Sequence, residues 1–67
     1  MASLTEFDAY LDSFMGQDEF ISLNPNERGG AIAEATNNYI KVNQLDDDFS
    51  SIIKQDAEKK LSNFIPK

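Results

Sequence analysis

In this chain the large apolar residues return every three or four positions, which places them along single stripes of helices and leaves no room for a sheet. Leu4, Phe7, Tyr10, Leu11, Phe14 and Met15 form the first stripe. Ser3 and Glu6 stand in the spacing of a capping box, where each side chain satisfies an orphan backbone N–H. Gly16 follows the last periodic residue, where a left-handed turn costs a glycine little. The spacing therefore predicts a helix over 3–15.

Two further starts are written in the same chemistry. Asn24-Pro25-Asn26-Glu27 offers a capping Asn, a Pro at the first helical position and a Glu at the third. The helix behind it carries Ile32, Ala35, Tyr39 and Val42, flanked by Ala31 and Ile40, and should end near Asn43. Gly29 and Gly30 lie in its first turns at a propensity cost of about 1 kcal/mol each, so either another backbone approaches closely there, the expected case, or the site merely tolerates them. Asp46-Asp47-Asp48 opens a third helix, because carboxylates oppose the positive end of the macrodipole. Its stripe is Phe49, Ile52, Ile53, Ala57, Leu61, Phe64 and Ile65; Lys59 and Lys60 fall at the favourable end, and Pro66 should end it.

Between the first two helices, Gln17 to Leu23 is too short for a stable helix of its own. One helical turn at about 17–22, plugging Phe20, Ile21 and Leu23 into the core, is the expected form. An edge strand is the alternative, but nothing else in the chain resembles a strand to pair with it. The fold class is thus all-α: a single domain over residues 1–67, a three-helix bundle with a short extra turn between the first two helices. Leu11, Phe14, Ile32, Ala35, Tyr39, Ile53, Ala57 and Leu61 are expected in its core.

Size and composition then narrow the chemistry. A chain of 67 residues buries only about 60% of the surface it exposes when unfolded, which disfavours a large enclosed active site. With neither Cys nor His, disulfides, thiolate and imidazole catalysis and zinc or haem sites built on those ligands are excluded. No cofactor is expected. A core of this size rarely supplies more than about 3–5 kcal/mol, so a homo-oligomer or a hetero-complex is expected to support the fold. The N-terminus lacks the basic start and apolar run of a signal peptide, and no window reaches a membrane span, so the expected location is the cytoplasm or a particle assembled there.

Charge points toward a partner. Residues 1–27 hold six acids and no base, whereas residues 28–67 hold six of each, so the whole net charge of −6 resides in the first 27 residues. Such a segment repels nucleic acid and attracts a basic protein surface. Glu6, Asp8, Asp12, Asp18 and Glu19 are the candidate partner-binding residues. The rival account is that Arg28 and the lysines between residues 41 and 60 fold back and neutralise them.

The sharper chemical readings fit poorly. Counted as a calcium loop from Asp46, the sixth position is Ser51 where Gly is needed, and the twelfth is Ala57 where a Glu should be. Asp8 and Asp12 lie four apart on one helix face, but an exposed pair has no pocket to push its two pKa values apart for acid–base work. Gly29-Gly30 lacks the preceding strand and following Lys-Ser/Thr of a phosphate loop. Tyr39 with Lys41 is a weak nucleic-acid patch, better explained by a half-buried Tyr with a snorkelling neighbour. Neither an enzyme, direct nucleic-acid binding, a membrane nor a small-molecule substrate is expected.

One run carries a resemblance. Leu23 to Val42, LNPNERGGAIAEATNNYIKV, is similar to a helix start in small bacteriophage virion proteins of the head–tail connector and adaptor type, with Asn24 in place of their usual Ser or Thr. The similarity covers about 20 of the residues, much of it ordinary capping chemistry. It implies a mostly helical, non-enzymatic subunit of a ring at the portal. An acidic inhibitor that imitates nucleic acid on a basic host protein, and an antitoxin-like regulator, are the alternative expectations from charge and size.

Overall fold

A computed structural model describes residues 3–65 and contains four helices: α1 (Leu4–Met15), α2 (Asp18–Ile21), α3 (Pro25–Asn43) and α4 (Asp47–Ser62). Among the described residues there is no strand, and no helix is long and apolar enough to cross a membrane.

The caps account for the boundaries. Asn24 Oδ1 accepts from Glu27 N–H at 2.9 Å, and Glu27 Oε1 accepts from Asn24 N–H at 3.2 Å, a complete capping box. Asp46 Oδ1 accepts from Phe49 N–H at 2.8 Å, which gives the first of the three aspartates its role. At Ser3 only half of the expected box forms: its hydroxyl accepts from Glu6 N–H at 3.2 Å. The Glu6 charge acts instead on Tyr39, where it and burial, the larger cause, raise the phenol above its usual pKa.

The two C-terminal ends depart from expectation in opposite ways. Gly16 is right-handed, with φ −84° and ψ −6°. The left-handed residue is Gln44, with φ 52°, at the end of α3, where the following Leu45 N–H bonds back to Ile40 O at 3.1 Å and Leu45 joins the core. That return bond and apolar contact hold a non-glycine residue where a glycine is the usual choice. α4 stops at Ser62, short of Pro66, which lies outside the described residues.

Helix directions follow from contacts at the ends. The Arg28 guanidinium lies 5.2 Å from the Phe64 ring centre, so the start of α3 meets the end of α4 and the two form an antiparallel hairpin. α1 runs parallel to α4, with Lys60 beside Asp8 and Asp12, and antiparallel to α3, with Phe7 against Tyr39. Arg28 Nη2 also donates to Ile21 O at 3.2 Å, which ties α2 to α3.

The core contains Phe7, Leu11, Met15, Phe20, Ile32, Ala35, Ile53 and Ala57. Phe14, Tyr39 and Leu61, expected inside, are only partly buried and pack on its edge. Phe7 and Met15 take the centre because they share one line of α1 with Leu11, while Phe14 is turned toward α2. Aromatic rings connect the layers: Tyr39 meets Phe7 at 5.0 Å, Phe14 meets Phe20 at 5.4 Å and Phe20 meets Phe64 edge-on at 5.2 Å. The one-turn α2 thus buries Phe20 as expected, with Ile21 and Leu23 half-buried.

Five stripe residues are exposed, Leu4 and Tyr10 of α1 only marginally, at 38% and 39%. Val42 is 80% exposed, Ile52 50% and Ile65 83%. In α3 the buried position beside Ala35 goes to Thr36, whose hydroxyl donates to Ile32 O at 2.8 Å and so enters without an orphan. The expected close approach at Gly29 and Gly30 is absent: a Cβ built at either glycine meets nothing within 4 Å.

Candidate functional site

The five acids expected to form one face divide into two sets. Asp8 and Asp12 project from α1 toward α4, where Lys60 lies in the last turn of the helix. Lys60 Nζ donates to Asp12 Oδ1 at 2.9 Å and stands 3.9 Å from Asp8 Oδ1. Asp12 lies near the C-terminal end of α1, where a carboxylate opposes the macrodipole and its own helix provides no base. Lys60 supplies the missing charge from a neighbouring helix. Its own pKa is raised, first by the Asp12 hydrogen bond, against the opposing effect of burial.

A fourth group completes this cluster. Asp56, one turn before Lys60, faces Asp8, and its carboxyl is held above the ordinary 3.8, first by hydrogen bonding to Asp8, then by burial and by the Asp8 charge. Lys60 and Lys59 pull the other way. Asp8 Oδ1 and Asp56 Oδ2 are both shut off from water without a hydrogen-bond partner. Asp56 was missed in the sequence reading because it lies in a segment whose acids and bases balance. The signal was its spacing: Asp56 and Lys60 share a face of α4 as Asp8 and Asp12 share one of α1.

Glu6, Asp18 and Glu19 are different. All three are exposed, and among the described residues none makes an ion pair. Asp18 and Glu19 form the first turn of α2, where they favour its N-terminus, and Glu6 does the same for α1. Fold-back neutralisation therefore operates for Asp8 and Asp12 through Lys60. Arg28 turns elsewhere, to Ile21 O and the Phe64 ring.

The surface carries two open depressions, of which the first borders the Lys60 cluster. One, of about 460 Å³, lies between the ends of α1 and α4 and is lined in part by Asp12, Lys60 and Phe64. The other, of about 430 Å³, is a groove between α3 and α4 with Ile32, Ala33, Ala57 and Leu61 in its lining and Lys54 and Glu58 beside them. Among the described residues no group of three acids is arranged to hold a metal ion. Comparison with protein-family models, with curated proteins and with solved structures finds no match to the chain in any of the three.

Proposed function

We infer that the chain is a non-enzymatic protein-interaction module, a small assembly subunit of a bacteriophage-type particle, whose exposed acids on α1 and α2 dock on a basic surface of a neighbouring protein. The observation that carries the interaction reading is the exposure of Glu6, Asp18 and Glu19 without a base paired to any of them. Carboxylates in that condition keep their charge available to an incoming cationic surface. The choice of a particle subunit rests on the similarity of Leu23 to Val42 to connector and adaptor proteins. Asn24, Glu27 and Arg28 of that run start α3 and fix it to α2, so the similar residues form the frame and the acids form the contact.

The same exposed acids favour a second reading, an inhibitor that imitates nucleic acid on a basic host protein. Capture from a lysate of the cells that produce the chain separates the two. Recovery of portal or capsid proteins supports the assembly subunit; recovery of a stoichiometric nuclease or polymerase overturns it in favour of the inhibitor.

A further inference from the structure

The α3–α4 hairpin has two long sides, and α1 occupies one of them. On α4 the covered side carries Asp56 and Lys60, which meet Asp8 and Asp12. The other side is the groove of about 430 Å³, with Ile32, Ala33, Ala57 and Leu61 in its lining. Gly29 lies at one end of this groove, and a Cβ there would meet nothing within 4 Å. The helix therefore carries a glycine that its own fold does not require.

The walls carry the argument for what fills the groove. Lys54 and Glu58 stand one turn apart on α4, both exposed, and among the described residues neither makes an ion pair. Read along α4 the order is positive then negative. When the helix is turned end for end by a twofold axis, the order becomes negative then positive, so the pattern is its own complement.

We propose that a second copy of this chain seats in the α3–α4 groove, the two copies related by a twofold axis that crosses the seam near Ala33 and Ala57. α4 then lies antiparallel to the partner's α4, and Lys54 of each copy faces Glu58 of the other. α3 crosses its counterpart at Ala33, a side chain small enough for close helix approach, and Gly29 leaves space for the counterpart's far turn. The net charge does not oppose this pairing at close range. The excess acids lie in residues 1–27, whereas the groove lining contains one base and one acid.

The pairing rests on the reading of the chain as an interaction module, and it can fail while that reading survives. The test is sedimentation equilibrium of the full chain from about 10 µM to about 1 mM, with circular dichroism to verify helix content. The wild-type chain is expected to pass from monomer to dimer over that range. Lys54→Glu sets two like-charge contacts at the interface and should weaken the dimer about tenfold or more, and Lys54→Glu combined with Glu58→Lys should restore it. Ala33→Leu, at an exposed position of the monomer, should keep its helix content and lose the dimer. A wild-type chain that stays monomeric throughout overturns the pairing, as does a double reversal that associates no better than the single one. Partner capture by that monomer would leave the interaction module standing and remove only the twofold.

Discussion

Lys60 of α4 donates to Asp12 of α1 across 48 residues of sequence, at 2.9 Å, and this is the shortest polar link between the first helix and the last. It joins the end of a helix that has no base in its last turn to a helix that has two there. The pair is partly open to water, with Asp12 69% exposed and Lys60 24%, so its net contribution belongs at the modest end for ion pairs. Lys60→Met should lower stability by about 1 kcal/mol or less, the loss coming mainly from Asp8, Asp12 and Asp56 left together without a cation. Urea denaturation measures it. A loss of several kcal/mol would mean that α1 depends on this contact more than on its apolar stripe.

Asp56 gives the fold a pH dependence of defined sign. Its folded pKa is raised above the unfolded value, so the folded state holds the proton more tightly. The stabilisation is complete below the unfolded pKa and is lost as pH rises through the folded one. Asp56→Asn removes that titration and keeps a donor for Asp8. The variant should melt above the wild type at pH 7, and the gap should close on acidification toward pH 4. A gap that is constant with pH would show that the Asp56 carboxyl is not held above its unfolded value in the folded chain.

Gly30 is exposed in the first turns of α3, and a Cβ there meets nothing within 4 Å. Gly30→Ala should therefore stabilise the fold by about 0.5–1 kcal/mol through helix propensity alone. Destabilisation in a chemical melt would reveal a neighbour at this position in solution.

Gln44 is held at φ 52° to close α3. Gln44→Gly removes the Cβ clash of the left-handed conformation and should raise stability by about 1 kcal/mol, read from the shift in denaturation midpoint.

What was legible in the sequence and what was not divides along physical lines. Starts of helices were readable because a cap is a local device: Ser3, Asn24 and Asp46 each bond within three residues. Ends were less so, because the left-handed turn was sought at a glycine and occurs at Gln44, where the Leu45 N–H bond to Ile40 O supports it. Burial was readable at the middle of each stripe, as at Leu11, Ile32 and Ile53. It failed toward the ends at Val42 and Ile65, where periodicity cannot say how far a neighbouring helix extends, and at Ile52, which is rotated off the buried line of Ile53 and Ala57. Of the acidic face, the sequence told the charge of each residue but not its partner. Lys60 lies 52 residues from Asp8 and 48 from Asp12, so no local pattern could assign it.

That division also fixes which acids are informative in a binding experiment. Changing Asp8 or Asp12 disturbs the Lys60 cluster as well as the surface, whereas Glu6, Asp18 and Glu19 can be neutralised without breaking an ion pair.

The most direct measurement of the central claim is the affinity of the captured protein for the wild-type chain and for a variant with Glu6→Gln, Asp18→Asn and Glu19→Gln together, titrated at low and high salt. The account predicts a melting temperature lowered only by the lost first-turn carboxylates, with helix content retained, an affinity about tenfold or more weaker at low salt, and a flattened salt dependence in the variant. Equal affinity and equal salt dependence for the two chains would contradict it, and would reduce the exposed acids of α1 and α2 to a solvated surface.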